Sequence, residues 1–161
     1  MELVIREVTA GELDACAGVI RRAFLTVAEE FGLTPENAPT NGAFLKTERL
    51  VTEREKGFLQ YGLFSGDDVI GYMQLEKAGG GTYYVEKLAV LPEKRHVGCG
   101  RRLLDFAASK VRALGGRKIG IAIIEENTRL KNWYAAYGFV HTGTKKYDHL
   151  PFTVGFMELA L

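Results

Sequence analysis

Leu13, Cys16, Ile20, Phe24, Val27 and Phe31 recur at helical spacing, and Thr9 with Glu12 just ahead of them makes a capping-box pattern, so this stretch predicts an amphipathic helix. The apolar run Leu3 to Val8 before it reads as a strand. After it, GLTPENAPTNG is rich in turn formers and predicts a loop, followed by a weaker helical stretch from Ala43 to Lys56 that Gly57 ends. Phe58 to Phe64 and Val69 to Leu75 flank SGDD and read as a hairpin, and AGGGT turns the chain again before Tyr83 to Leu91. Leu103, Leu104, Ala107, Val111 and Leu114 mark one face of a further helix, stopped by Gly115 and Gly116, and Lys118 to Ile124 is the next strand. NTRLKNWYAAYGF gives a short helix closed by Gly138, and Phe139 to Lys146 and Phe152 to Leu159 finish the chain as strands.

The resulting order is βααβββαβαββ. Its middle predicts three antiparallel strands, and the strand, helix and strand that follow form a crossover that makes two strands parallel. The fold class expected is therefore α/β, with a mixed, mostly antiparallel sheet flanked by helices. No repeat or shift in composition divides the chain, so residues 1–161 are read as one domain.

Charge narrows the functional classes. The formal net charge is +1, which argues against a protein whose main task is coating nucleic acid, so anion binding is expected to be local. No apolar run is long enough to cross a bilayer and the opening residues lack the layout of a secretory signal; the expectation is a cytoplasmic protein without a membrane partner. Cys16 and Cys99 are isolated and read as two ordinary thiols. His96, His141 and His149 show no ligand spacing, so no metal is expected.

The stretch LAVLPEKRHVGCGRRLL contains the chemistry that stands out. Arg101 and Arg102 stand at the start of a helix, where the dipole and unpaired N–H groups favour anions over cations. Gly98 and Gly100 remove side chains where the backbone enters that helix, so N–H groups can approach phosphate oxygens closely. Lys94, Arg95, Arg101 and Arg102 can offset the charge of such an anion. The Rossmann fingerprint would need a third glycine where Leu103 stands, and a Walker A loop needs a lysine and hydroxyl pair that is absent, so neither nucleotide motif is present.

RHVGCG, Arg95 to Gly100, following the strand VEKLAVLPE, resembles the R/Q-x-x-G-x-G/A cofactor motif of the GNAT acyltransferase superfamily. The later NTRLKNWYAAYGF is similar to that family's N-x(6)-Y-x(3)-G-F signature, and the likeness runs over essentially the whole chain. The resemblance implies a fourth and a fifth strand that splay apart to admit the pantetheine arm of acetyl-CoA. It implies that Arg95, His96, Val97, Gly98, Cys99, Gly100 and Arg101 cradle the pyrophosphate through backbone amides. His96 departs from the glycine often found at its position. Leu88, Ala89 and Val90 would face the pantetheine and thioester, and Asn127 would contact the cofactor, although an asparagine there is equally an N-cap. Cys99 fills a variable position between the motif glycines, and direct transfer to an amine needs no acyl-cysteine.

The same resemblance suggests the catalytic groups. Glu86 lies mid-strand, on one face with Tyr84 and Leu88 by strict alternation, and resembles the family's acidic proton acceptor by position, not by motif; an exposed strand glutamate without a catalytic role is its alternative. Tyr134 matches the tyrosine that protonates the departing thiolate, and packing on the apolar helix face is its alternative role. The acceptor is expected to be an amine of a small molecule or peptide; Phe31, Phe44, Tyr147, Asp148 and His149, from the first helix–helix loop and the last hairpin, are candidates to line its pocket, with Asp148 as ammonium partner, and turn formation alone is their alternative and slightly favoured role. The oligomeric state stays open between monomer and homodimer. A CoA-binding regulatory or interaction module without turnover is the alternative to an N-acetyltransferase.

Overall fold

Strand β1 (Leu3–Glu7) leads to α1 (Leu13–Glu30), whose start is fixed as the capping pattern predicts: Glu12 accepts the Thr9 backbone N–H at 2.8 Å and pairs with Arg6 at 2.7 Å. The Arg6 hydrogen bond, followed by the Thr9 backbone bond, holds the Glu12 carboxyl down at about 2. These contacts are seen in a computed structural model that describes residues 2–161. Leu13, Cys16, Ala17, Ile20 and Ala23 form the buried stripe of α1.

The stretch expected to be one weaker helix is broken in two. A 3₁₀ turn at Gly42–Phe44 is followed by extended backbone at Leu45 and Lys46, and the helix α2 is only Thr47–Glu55. The reason is tertiary: Arg21 on α1 takes the Leu45 carbonyl at 2.9 Å while the Leu45 side chain goes into the core, so that carbonyl cannot continue a helix. Gly42 packs against the Phe24 ring so closely that a Cβ there would lie 1.6 Å from Phe24 Cδ2. Gly42→Ala is therefore expected to cost about 1–3 kcal/mol of stability through overpacking, read as a lower midpoint in urea unfolding.

The remaining elements follow the predicted order: β2 (Leu59–Ser65), β3 (Asp68–Gly79), β4 (Thr82–Val90), α3 (Cys99–Ala113), β5 (Lys118–Ile124), α4 (Thr128–Tyr137), β6 (Val140–Lys146) and β7 (Thr153–Ala160). They build one seven-stranded sheet in the order β1-β2-β3-β4-β5-β7-β6, all neighbours antiparallel except β4 and β5. β7, not β6, lies beside β5, so the closing hairpin is inserted with its last strand innermost. Leu103, Leu104, Ala107 and Val111 bury α3 on one face of the sheet, while α1 and α2 cover the other face of β3 and β4.

The parallel contact between β4 and β5 is short. It joins Thr82 to Lys118, Tyr83 to Ile119 and Tyr84 to Gly120, and from Val85 onward β4 has no partner on that side. The predicted opening between the fourth and fifth strands thus begins immediately before Glu86.

Candidate active site

Strand β4 departs from regular alternation at the point that matters. Gln74 of β3 faces Glu86, yet Tyr72 faces Ala89, so β4 carries one extra residue between those pairs. Lys87 absorbs it, with a φ of 54° in the left-handed region that costs a non-glycine residue about 1–2 kcal/mol. One expectation is corrected by this bulge. Glu86 does share its face with Tyr84, but Ala89 rather than Leu88 continues that face, because the extra residue reverses the parity of the strand.

The bulge also lets two consecutive side chains project to one side. Gln74, on the Glu86 face, donates to Glu53 of α2 at 3.1 Å, and Lys87 reaches the same carboxylate at 2.9 Å. Lys87 and Glu53 are nearly buried, their side chains 9% and 12% exposed. Burial alone would raise the Glu53 carboxyl, but hydrogen bonds from Lys87 and Gln74 override it and hold Glu53 ionised below its ordinary value. Tyr72 completes the row by donating to Gln74 at 2.8 Å.

Glu86 sits beside this row with its Oε2 buried and without a hydrogen-bond partner. Burial, then a hydrogen bond to Glu76, pushes its carboxyl up to about 7, against the opposing charge of Lys87. A carboxyl held there is part ionised near neutrality and can take a proton, which an ordinary carboxylate near ~4.3 does poorly.

The glycine turn links β4 to α3. Among the described residues, the last backbone N–H before α3 with a backbone acceptor is that of Arg95, and the next is that of Arg102, so the amides of residues 96–101 have no backbone acceptor. His96 and Gly98 adopt left-handed φ values of 65° and 86°; His96 thus takes the conformation usual for glycine and keeps its N–H in the turn. Cys99 opens α3 and is buried, in line with a tolerated small side chain and not with an exposed nucleophile. Gly100 approaches Trp133 of α4, whose Cζ2 would lie 3.1 Å from a Cβ at that position.

Three of the four cations around this turn have partners on other elements, and Lys94 is exposed. Arg95 turns back to α1, donating to the Ala23 carbonyl at 2.7 Å and to Thr26 Oγ1 at 3.2 Å. Arg102 donates to the Leu3 carbonyl at 3.0 Å, and Arg101 lies over the Tyr137 ring, 5.5 Å from its centroid. Each of these three arginines finds an acceptor or an aromatic face on a neighbouring element.

Tyr134 reaches the core from α4, 6% exposed, with Trp133 and Phe139 edge-on at 5.0 and 5.3 Å. Burial alone raises its phenol, with no charge or hydrogen bond contributing, so the group stays protonated at any ordinary pH. Asn127 caps α4 by accepting from the Leu130 N–H at 3.2 Å. Phe31 and Phe44 come together with Ile124 and Phe152 around Ala28, Leu33 and Ala38, which places the first helix–helix loop against the open end of β5. Tyr147 and His149 stack edge-on at 5.7 Å in the last hairpin, with Asp148 exposed between them.

Sequence reading missed Lys87, Glu53 and Trp133. A signal existed for the first two: adjacent charges in the centre of an apolar strand, and a glutamate three residues after buried Leu50 on the same helix face. A surface cavity of about 460 Å³ over Tyr84, Gly120, Phe156 and Thr144 shares the Glu86 face, but neither Glu86 nor the turn lines it. Among the described residues, no group of three or more His, Cys, Asp or Glu side chains is placed to hold a metal ion, and no helix is long and apolar enough to cross a membrane.

A strand bulge, a parallel pair that opens, and a glycine turn at the start of α3 together make up the candidate site. Residues 22–139 match the acetyltransferase (GNAT) family, and the chain belongs to that family. No curated protein matches its sequence. Its fold is shared by PaiA N-acetyltransferase from Thermoplasma acidophilum, solved in complex with coenzyme A, at 19% identity and a TM-score of 0.76 over 100% of both chains. It is shared equally by the ribosomal-protein-S18-alanine N-acetyltransferase from Escherichia coli, at 14% identity and 0.77 over 99% of this chain and 94% of that one. A third is yncA, a putative acetyltransferase from Salmonella typhimurium with its cofactor acetyl-CoA, at 20% and 0.74 over 99% and 94%.

Proposed function

We propose that this chain is an N-acetyltransferase that moves an acetyl group from acetyl-CoA to a primary amine of a small molecule or peptide by direct attack on the thioester. The observation that carries the reading is the opening between β4 and β5, in a chain whose amides 96–101 have no backbone acceptor and whose Glu86, on the open strand, has a buried oxygen without a partner. CoA or acetyl-CoA held by relatives of the same fold supports the ligand. The turn fits it: Gly98 allows the left-handed backbone at the entry to α3, Gly100 leaves room beside Trp133, the amides of residues 96–101 have no backbone acceptor, and a phosphate at a helix N-terminus is favoured by the helix dipole.

Acetyl-CoA supplies an activated acyl carbon and a thiol leaving group. The chain's residues do the rest. The free edge of β4 at Leu88 to Val90 offers backbone N–H groups to the pantetheine and to the thioester oxygen as negative charge develops there. Glu86 takes a proton from the incoming amine, whose ammonium form near ~10.4 cannot attack. Tyr134, approaching from the α3 and α4 side, holds a proton for the sulfur as the C–S bond breaks.

Thiol release from acetyl-CoA against a panel of amino acids, polyamines and peptide N-termini tests the reading. Turnover with an amine supports it; CoA binding with no turnover on any amine would leave the non-catalytic module standing instead. Once an amine is found, Glu86→Gln is expected to lower turnover at pH 7 by roughly 10²-fold with CoA affinity unchanged. Since the active form of Glu86 is its carboxylate, the parent rate should rise with pH through about 7. That limb should vanish in the variant, with partial recovery as the amine itself deprotonates at higher pH.

A further inference from the structure

We infer that Lys87 and Glu53 are positioning residues for Glu86, a buried ion pair that holds this carboxyl at the mouth of the opening and tunes its proton affinity. The inference rests on Glu86 being the group of interest in the proposed function, and it names residues that the family motifs do not contain.

The geometry supports it in three ways. Lys87 occupies a left-handed conformation in the middle of a central strand, where glycine would sit without strain, so the side chain is kept for something other than the turn. That conformation turns the ammonium to the same side as the carboxyl of the preceding residue, an arrangement unavailable to a regular strand. Its partner Glu53 is in turn fixed by Gln74 at 3.1 Å and lies 3.7 Å from Arg49, so the ammonium has one place to be. A buried ion pair is not needed for stability, because well-packed apolar residues do as well, which points to a task in setting charge.

The groups that face Glu86 are few and named. Gln74 and Glu76 come from β3, with the Tyr72 hydroxyl one step beyond; Glu53 comes from α2; Lys87 comes from its own strand. Lys87 favours the carboxylate, while Glu53 and Glu76 favour the acid. Removing Lys87 and removing Glu53 must then act in opposite directions.

Carboxyl ¹³C NMR of glutamate-labelled, full-length protein, free and saturated with CoA, reads this without any acceptor, with the Glu86 resonance assigned by its loss in Glu86→Gln. Lys87→Met is expected to raise the Glu86 titration midpoint by about one pH unit, Glu53→Gln to lower it, and Lys87→Arg to keep it near the parent. Should Lys87→Met fail to fold, the downward shift in Glu53→Gln and the retention in Lys87→Arg remain as tests. Midpoints that stay put, or that move the same way in Lys87→Met and Glu53→Gln, overturn the inference. The proposed function fails on a different reading: a rate–pH profile in Glu86→Gln equal to the parent's removes Glu86 as the base, whereas opposite NMR shifts support the pair whichever way that profile falls.

Discussion

Tyr134→Phe is expected to slow acetyl transfer by roughly 10²- to 10⁴-fold, the range typical of a lost general acid, while CoA affinity stays close to the parent's. The ring is what packs: Trp133 and Phe139 contact it edge-on, and phenylalanine keeps both contacts. The hydroxyl is what differs. Burial holds it protonated, so at neutral pH its proton is in place when the sulfur becomes anionic as it leaves. A phenol buried this deeply is a weak acid, so its value lies in meeting the thiolate at the moment of bond breaking and not in acidity as such. Single-turnover transfer to the amine found by the panel, with CoA binding measured on the same preparation, separates chemistry from product release. Equal single-turnover rates would make Tyr134 a packing residue.

Gly98→Val is expected to weaken CoA binding by roughly 10²- to 10⁴-fold, as two charge-assisted hydrogen bonds of about 1.5–3 kcal/mol each lose their geometry. The direction of a Cβ at 98 is open, with nothing within 4 Å, so the valine has room in the protein and fails because φ there is 86°. Gly100 is the reverse case: its backbone is ordinary, but a Cβ would press on Trp133 at 3.1 Å. Gly100→Val should therefore weaken binding and also disturb Trp133. That tryptophan is the chain's single one and is 37% exposed, so its emission reports the disturbance directly. Calorimetry on folded variants decides; near-parent affinity in both would remove the phosphate cradle from this turn.

How far the sequence spoke depended on whether a feature is local. Period 2 and period 3.6 patterns located the strands and helices, and Gly115, Gly116 and Gly138 marked where helices stop, because those signals are made by neighbouring residues. The break at Leu45 was invisible because it is imposed by Arg21, twenty-four residues earlier. The order β5-β7-β6 was not legible either, since nothing in a hairpin's own residues says which of its strands turns inward. Gly98 and Gly100 announced the turn, but the destinations of Arg95 and Arg102 lie on α1 and β1 and belong to tertiary packing. Likewise Glu86 was found by its place in the strand, whereas its unpartnered oxygen and the ion pair beside it needed the bulge, and a one-residue slip leaves no trace in composition.

The separation of β4 from β5 gives the middle of the sheet something normally found only at its margin: a stretch of strand, Val85 to Val90, with one row of backbone groups offered to any extended chain that comes near. Outer strands are commonly protected from such adhesion by bulges, which spoil the register, and by charged side chains turned inward. Lys87 provides both at once in this interior position. The residue inferred to tune Glu86 thus also makes this open stretch of β4 a poorer template for another extended chain.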